Sequence, residues 1–455
     1  MSSSVSCRTE IFIEQITDKG FGVGFFKGKK VFVDGALPNE NVCVALGCEH
    51  ETYFDCTLLK ILKPNPDRVS DFCCHPQCGG CQFRNISYDA LLRLKSQRLS
   101  DALCQCRDFI DPSCVFPCPC SASDPVLRYR NKSIYYVRRV DGVNKIGMFA
   151  KKSHILVSVD DCGMEPEWIS SVNKIVLEWM SLFGIEGYDE LRKTGLIKEI
   201  IYRTGNRTGD RMVILVVSEY DVIGLDRLSA HLAEMSVDSL YLNINSSTGN
   251  AVYGEQFRLI YGKQYITTEL NSMRFMLGPR SFWQLNSSQC ERLYAQVKRY
   301  AGMSGTETVF DLYCGVGSIG LSLAHDAGSV YGVEIIEEAV ELAKKNAEIN
   351  NITNSSFFVG NSEIVCQQLL SKGITPDLII LDPPRKGCAE ELLKSVISVL
   401  PERIIYVSCC PESLARDLSY MGKNSDYRVS DIAAFDLFPG TTHVESVVKL
   451  TRAGL

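Results

Sequence analysis

The sequence predicts an α/β protein whose C-terminal part is a doubly wound, Rossmann-like domain, preceded by an α+β domain and a small OB-like β-barrel. Short apolar runs separated by glycines occupy the first 64 residues, strands and helices mix up to about residue 270, and strands then alternate with helices. A chain of 455 residues is long enough for about three domains of roughly 150 residues. The predicted domains are 1–64, 65–270 and 271–455.

The composition argues against a membrane protein or a secreted disulfide-rich protein. Hydrophobic residues make up 45% of the chain and charged residues 22%, and no apolar run is long enough to span a bilayer. The first ten residues lack the apolar core of a secretory signal, which predicts a cytoplasmic protein. Because that compartment is reducing, the 20 cysteines indicate thiol or metal chemistry more than disulfides.

The charge distribution leaves a nucleic-acid partner open. The net charge of -6 argues weakly against one, but contacts to phosphates depend on local clusters of Lys and Arg. One basic cluster, with three tyrosines interleaved, consists of Arg128, Arg130, Lys132, Arg138, Arg139, Lys145, Lys151 and Lys152.

The first two domains are predicted from short patterns. Alternating apolar runs such as 11–13 and 31–33 predict the strands of the barrel, and Pro64-Asn65-Pro66 marks its end. Leucines at helical spacing after a potential cap at Ser87 predict a helix over 87–105. The middle domain is predicted to contain strands at 133–137, 212–217 and 240–244 and a helix at 167–183.

The C-terminal domain shows regular alternation, which is typical of a mostly parallel sheet with helices on both faces. Helices are predicted at 287–300, 319–325, 337–350 and 390–399. Strands are predicted at 308–312, 329–333, 357–359, 378–381, 403–408 and 446–450.

A cofactor site is predicted where the first strand of this domain turns into a helix. Gly315 and Gly317 allow a tight turn and a close approach of the backbone to a ligand. Glu334 ends the next strand, the usual position for an acid that binds ribose hydroxyls. Ser318 follows without the third glycine of a dinucleotide fingerprint, which favours an adenosine thioether over a nicotinamide cofactor. Asp382, followed by paired prolines, should lie at the same edge of the sheet.

Candidate nucleophiles and bases follow the last strands. Cys409 and Cys410 come directly after a strand and should face the same crevice, although a cysteine there is on its own more often a buried apolar side chain. His443 and Glu445 precede the final strand, and either could act as a general base.

Taken in order, these motifs resemble the family of RNA uracil-5-methyltransferases. The resemblance rests on Ser-Phe-Trp-Gln-Leu-Asn at 281–286, on 311–317, on Asp-Pro-Pro-Arg at 382–385, on Ser-Cys at 408–409 and on His-Val-Glu at 443–445. The first domain is similar to the RNA-binding TRAM module through 20–24 and 32–38. The resemblance implies a class I enzyme that moves a methyl group from S-adenosylmethionine to C5 of uridine in RNA.

The resemblance also implies roles for single residues. Cys409 would attack C6 of the uracil, because C5 becomes nucleophilic only after such an addition, and Glu445 would then take the C5 proton. Two positions depart from the usual pattern: Ser318 and Cys410 stand where members of the family carry Asn, and Cys410 is therefore a rival nucleophile. The residues implied to contact S-adenosylmethionine are Gln284, Tyr313, Ser318, Glu334, Asn361 and Asp382.

A second group of cysteines has metal-ligand spacing. Cys78 and Cys81 are two residues apart, which suits either zinc or an iron-sulfur cluster. The family resemblance implies a [4Fe-4S] cluster on Cys78, Cys81, Cys162 and a first ligand that is Cys73, with Cys74 as the alternative.

The resemblance implies 23S ribosomal RNA as the partner, since members with a TRAM module most often modify large-subunit RNA. The alternatives are a transfer-RNA uridine-54 enzyme, a methyltransferase for another nucleobase or for protein, and a catalytically dead RNA-binding protein. The chain is expected to act as a monomer without membrane contact.

Overall fold

The computed structural model describes residues 8–114, 116 and 118–452. Within these residues the strands form three sheets and one separate hairpin, arranged along the chain as a curled N-terminal sheet, a mixed middle sheet and a C-terminal sheet with helices on both faces. The predicted α/β fold class, with a barrel-like domain in front, is confirmed.

The N-terminal sheet has the order β1-β5-β6-β4-β3-β2 and curls on itself. After β1, the amide of Glu14 donates to the carbonyl of Val23 on β3 (2.9 Å), and the amide of Ile13 donates to the carbonyl of Glu40, which precedes β5 (2.9 Å). Inward-facing Val31, Val33 and other branched side chains fill its interior. Its strands are β1 (Arg8–Phe12), β2 (Gln15–Ile16), β3 (Phe21–Phe26), β4 (Lys29–Asp34), β5 (Asn41–Glu49) and β6 (Tyr53–Lys63).

The predicted helix after the linker is helix α1 (Tyr88–Leu103). It begins at the predicted cap, where the Ser87 hydroxyl accepts a hydrogen bond from the Ala90 amide. A 3₁₀ turn follows at Cys104–Phe109. The next strand, β7 (Cys120–Ser121), leaves this part of the chain and pairs at the edge of the C-terminal sheet, which the sequence did not indicate.

The middle sheet has the order β10-β9-β8-β11-β12-β13-β14 and is antiparallel except between β12 and β13. Two helices cover one face, while Met212, Ile214 and Val216 on the other face belong to the core of the C-terminal domain. Its elements are β8 (Lys132–Val140), β9 (Val143–Phe149), β10 (Leu156–Ser158), α2 (Trp168–Phe183), β11 (Ile197–Thr204), β12 (Arg211–Val217), α3 (Leu225–Glu234), β13 (Ser239–Ile244) and β14 (Gln256–Gly262).

A hairpin and the C-terminal sheet complete the fold. The hairpin strands are β15 (Ile266–Leu270) and β16 (Met273–Leu277). The C-terminal helices are α4 (Ser287–Ala301), α5 (Ser318–Leu323), α6 (Glu337–Ile349), α7 (Ser362–Ser371), α8 (Glu390–Ser398) and α9 (Pro411–Asn424). The C-terminal strands are β17 (Thr308–Leu312), β18 (Ser329–Glu334), β19 (Ser355–Val359), β20 (Leu378–Leu381), β21 (Arg403–Ser408), β22 (Tyr427–Phe435) and β23 (Glu445–Arg452).

The order of the C-terminal sheet, β19-β18-β17-β20-β21-β23-β22-β7, determines where a ligand can bind. The strands β19 to β21 run parallel, and β23 is antiparallel to its neighbours. The chain turns from β19 back across β17 to β20, so the carboxyl ends of β17 and β20 flank the switch point at which doubly wound sheets bind ligands. None of the helices in the described ranges is long and apolar enough to cross a bilayer.

A buried ion pair joins α1 to the C-terminal domain. The Lys95 ammonium lies 2.5 Å from the Asp436 carboxylate, and both side chains are almost completely buried. Lys95 also donates to the carbonyl of Phe438 (3.0 Å), and the Tyr88 hydroxyl donates to Asp436 (2.9 Å). Burial lowers the pKa of Lys95, and the charge of Asp436 opposes that shift.

Lys95→Met is expected to destabilise the protein by about 3 kcal/mol, because it leaves the buried Asp436 charge without its cation. Urea denaturation measures the change. Arg93→Met is the matched control, since Arg93 lies on the same helix and pairs with Asp67 at the exposed surface, where an ion pair contributes less than about 1 kcal/mol. Equal losses in the two variants would contradict a special role for the buried pair.

Candidate active site

The loop between β17 and α5 forms one wall of a crevice at the switch point. Tyr313, Gly315 and Gly317 have φ angles of 68°, 55° and 82°, so the chain turns through the left-handed region three times within five residues. Glycine adopts this conformation without strain, whereas Tyr313 adopts it at a cost that the surrounding structure must offset. The backbone turns tightly at both glycines, as the sequence predicts.

Glu334, at the end of β18, holds that loop. Its carboxylate accepts hydrogen bonds from the backbone amides of Gly315 (3.1 Å), Ile335 (2.8 Å) and Ile336 (3.0 Å). A carboxylate offers about four acceptor sites, so Glu334 retains capacity for a ligand hydroxyl. The amide of Gly360 donates to the Glu334 carbonyl (2.9 Å), which places Asn361 beside the same wall.

Two further acids lie at the ends of the central strands. Asp311 is completely buried; one carboxylate oxygen accepts from the Gly320 amide (2.8 Å) and the other has no hydrogen-bond partner. Burial, reinforced by Asp382 and Glu334, raises the pKa of Asp311 to about 7. Burial likewise raises the pKa of Asp382 to about 7. Such a crevice favours a ligand that carries positive charge and hydrogen-bond donors.

The other residues implied in cofactor binding come from separate elements. The Ser318 hydroxyl lies 2.7 Å from that of Tyr294 on α4. Asn361 caps α7 by accepting from the Glu363 amide (3.2 Å). Gln284 is buried in the loop before α4, and its carbonyl accepts from the Asn131 side chain (2.8 Å).

Cys409 lies at the end of β21, half-buried and among acids. Burial, reinforced by the charges of Glu445 and Asp382, raises the pKa of its thiol to about 12, although Arg385 opposes the shift. The thiol is therefore protonated in this structure, and it needs a neighbouring base or cation to react as a thiolate. Its electrostatic partners are the groups that line the crevice.

Cys410 has a different environment. It is the N-cap residue of α9, and its thiol donates to the carboxylate of Glu412 (3.2 Å), whose other contact is Arg98 on α1. The two adjacent sulfurs thus have different surroundings, and the charges of Glu445 and Asp382 act on Cys409.

Glu445 and His443, the two candidate bases, also differ. Glu445 is buried at the start of β23, and burial together with Asp382 raises its pKa well above the ordinary value. Burial and the nearby cations, Arg385 foremost, lower the pKa of His443 to about 4. Its Nε2 lies 3.2 Å from the Arg385 guanidinium, and because the ring is neutral, Nε2 accepts this hydrogen bond. Glu445 is the better-placed proton acceptor for chemistry at Cys409.

Three contributors to the site were missed by sequence reasoning. Arg385 acts on both Cys409 and Glu445, Asp311 adds a buried charge under the crevice, and Tyr294 holds Ser318. Arg385 and Asp311 lie inside the motifs 382–385 and 311–317, so their charge at the end of a strand could have indicated a role in the site. Tyr294, on a helix face, offered none.

The cysteine-rich segment forms a separate pocket. Its lining combines four cysteines with charged, polar and apolar neighbours: Cys73, Cys78, Cys81 and Cys162, with His75, Arg84, Arg130, Glu165, Met148, Val159 and Met164. Cys74, by contrast, is exposed. Burial raises the pKa of Cys78, of Cys81 and, to about 12, of Cys162. No three His, Cys, Asp or Glu side chains in the described part of the chain are arranged as they stand to hold a metal ion.

The chain is similar to known RNA-modifying enzymes. A family model described as tRNA (uracil-5-)-methyltransferase matches residues 253–453. An uncharacterized RNA methyltransferase of Halalkalibacterium halodurans is 36% identical over 444 residues, covering 97% of this chain and 96% of its own length. Another, from Clostridium tetani, is 36% identical over 448 residues, covering 98% and 96%.

One solved structure is similar over nearly the whole chain. It is the tRNA (uracil-54, C5)-methyltransferase of Pyrococcus abyssi in complex with S-adenosyl-L-homocysteine, with a TM-score of 0.80 and 28% identity. The similarity covers 97% of this chain and 99% of that one.

Asp311→Asn is expected to flatten the dependence of folding stability on pH. In the folded protein the pKa of Asp311 is about 7, above its ordinary value of 3.8. Protonated Asp311 therefore adds to the free energy of unfolding below about pH 4, and this contribution is lost as pH rises through 7. The loss is on the order of 3 kcal/mol. Urea denaturation at pH 5 and pH 8 measures it. The exposed Asp101→Asn should retain the wild-type dependence, and the same dependence in Asp311→Asn would contradict the assignment.

Proposed function

The chain belongs to the S-adenosylmethionine-dependent RNA (uracil-5-)methyltransferase family, and we propose that it methylates uridine through a covalent bond between Cys409 and C6 of the uracil. The observation that carries this proposal is the placement of Cys409 at one crevice with Asp382, Glu445 and Arg385. Amino-group methylation needs no thiolate, so this constellation favours a carbon nucleophile over an exocyclic nitrogen.

The crevice residues divide the reaction between them. The Cys409 thiol gives its proton to solvent and the thiolate adds to C6, which breaks the C5–C6 double bond, places negative charge on the ring and makes C5 nucleophilic. Glu445 takes the C5 proton after methyl transfer, and the sulfur then leaves C6 to release the product. Arg385 lowers the pKa of both Cys409 and Glu445, so it favours the ionised forms that these two steps require.

The acids of the crevice suit S-adenosylmethionine, which supplies an electrophilic methyl group and carries positive charge on its sulfonium and ammonium groups. Asp311 has an unpaired buried oxygen, and Asp382 has a raised pKa that a cation would lower. The residues proposed to hold the cofactor are Gln284, Tyr313, Ser318, Glu334, Asn361 and Asp382.

For the substrate, we propose 23S ribosomal RNA, with 1–64 as an RNA-binding unit, 65–270 as a cluster-bearing unit and 271–455 as the catalytic unit of a cytoplasmic monomer. A specific observation favours a second candidate, a transfer-RNA uridine-54 activity: the structure from Pyrococcus abyssi is of such an enzyme. Mapping 5-methyluridine in both RNAs from a strain that lacks the protein decides between them.

The cysteine pocket is proposed to hold a [4Fe-4S] cluster on Cys73, Cys78, Cys81 and Cys162. Four sulfurs lining one pocket support the ligand set, because cysteine thiolates are the usual ligands of such clusters. The exposure of Cys74 favours Cys73 as the first ligand. The reaction needs no electron, so the proposed role is structural: the amides of Gln82 and Phe83 donate to the carbonyl of Gly440, in the loop that leads to Glu445.

Cys409→Ala should abolish methyl transfer and the covalent adduct with RNA that contains 5-fluorouracil, since no proton can be removed from a fluorinated C5. Cys410→Ala is the matched control and should retain activity within about tenfold, because it loses only the contact to Glu412. Adduct formation is read from the shift of the protein band on a denaturing gel. An active Cys409→Ala beside an inactive Cys410→Ala would move the nucleophile by one residue.

Protein purified without oxygen should be brown, with absorbance near 400 nm. Cys73→Ser should lose this absorbance and the iron, whereas Cys74→Ser should keep both, because Cys73 lines the pocket and Cys74 does not. Iron and sulfide analysis measures the content. Colourless protein with one zinc ion would exclude the proposed cluster.

A further inference from the structure

Four of the eight cations in the basic cluster at 128–152 form ion pairs with carboxylates of the same chain. Arg128 pairs with Asp161 (2.7 Å), Lys151 pairs with Asp34 (2.6 Å), and two arginines of β8 pair with glutamates. Half of the cluster is therefore already paired, and the cluster as a whole is not a free surface for phosphate groups.

Lys132, the first residue of β8, is different. In the ranges that the structure describes, no carboxylate lies within 4 Å of its ammonium. Its nearest partner is the Tyr253 ring, with the nitrogen 5.4 Å from the ring centre, and the residue opposite it on β11 is another cation, Arg203. Burial and Arg203 lower the pKa of Lys132 to about 7. A half-buried ammonium without a counter-ion costs stability, and an anion that bound beside it would offset that cost.

The position of Lys132 relates it to the active site. It lies at the base of the loop 278–284, which carries Gln284. Arg203 donates to the carbonyls of Gly278 and Ser281, and the Tyr253 hydroxyl donates to that of Pro279 (3.3 Å). Lys132 thus shares its immediate neighbours with this loop.

The same loop presents groups suited to a nucleic-acid strand. Phe282 is 70% exposed, and Arg280 beside it is exposed as well. An exposed aromatic ring flanked by cations is the combination with which proteins bind single-stranded nucleic acid, the ring stacking on a base and the cations binding the backbone. Glu338 is the acid whose charge reaches Arg203.

We propose that Lys132 binds a backbone phosphate of the RNA strand that presents the target uridine, with Arg280 as a second phosphate contact. This inference rests on the proposed function, because it takes the substrate to be RNA. A phosphate supplies the negative charge that Lys132 lacks in the protein and compensates its desolvation when the complex forms.

The test compares Lys132→Met, Lys132→Arg and Lys174→Met. Met keeps the length of the side chain and its contact with the Tyr253 ring, so this variant should fold with an unchanged or higher melting temperature. Lys174→Met removes the same charge from the exposed side of α2, on the opposite face of the middle sheet, and serves as the matched control. The probes are fluorescently labelled, unmodified transcripts of a 23S ribosomal RNA fragment and of a transfer RNA.

Lys132→Met should raise Kd and KM on the order of tenfold for whichever unmodified transcript the wild-type protein methylates. It should also reduce the slope of log Kd against log salt concentration by about one, the signature of one lost phosphate contact. KM for S-adenosylmethionine and kcat should stay near wild type, Lys132→Arg should keep most of the affinity, and Lys174→Met should change neither quantity.

An active Lys132→Met with unchanged RNA affinity and salt slope would overturn the proposal. So would a rise in KM for S-adenosylmethionine alone, which would assign the ammonium to the cofactor carboxylate. If the wild-type protein methylates neither transcript, the proposed function fails. The phosphate contact is then tested separately by comparing the slope of log Kd against log salt concentration for the wild type and Lys132→Met.

Discussion

The buried contact between Lys95 and Asp436 determines how the catalytic loop is held. Asp436 directly follows β22, where the chain enters the loop 437–444. Its carboxylate accepts hydrogen bonds from the Tyr88 hydroxyl and the Phe438 amide, while Lys95 donates to the carbonyl of Phe438. Two charges withdrawn from water in this way stabilise the fold only while both remain. The loop that positions His443 and Glu445 therefore depends on a helix from a distant part of the sequence, and the N-terminal half of the chain takes part in building the active site.

A second constraint is the concentration of acids in the crevice. Burial raises the pKa of Asp311, Asp382 and Glu445, and the charge of Asp382 raises the pKa of the other two further. Arg385 offsets part of this repulsion near Cys409. A cationic cofactor would offset more of it, which couples binding of the cofactor to ionisation of the groups that perform the chemistry. The buried acids thus account both for the raised pKa values in the free protein and for the preference of the crevice for a sulfonium.

The sequence allowed the parallel sheet and the strand-end positions of the site to be predicted, because a run such as Leu378–Leu381 is apolar throughout and ends in chemistry-bearing residues. It could not predict β7, which is too short to carry a pattern and pairs by tertiary contact. In the sequence, Lys95 is indistinguishable from an exposed polar residue on a helix, because its partner Asp436 lies 341 residues away. The basic cluster misled for the same reason: Arg128 meets Asp161 only after folding.

The two adjacent cysteines show how such distant contacts assign chemistry. Cys410 caps α9 and donates to Glu412, which Arg98 of α1 holds, and Arg98 also donates to the carbonyl of Thr442 (2.8 Å). The thiol that departs from the family pattern is therefore occupied by the same network that supports the catalytic loop. Cys409 has no such contact and faces the acids and Arg385 instead. Identical side chains one residue apart acquire different surroundings, because Cys410 begins a helix and meets Glu412, whereas Cys409 follows a strand and meets the charges of the crevice.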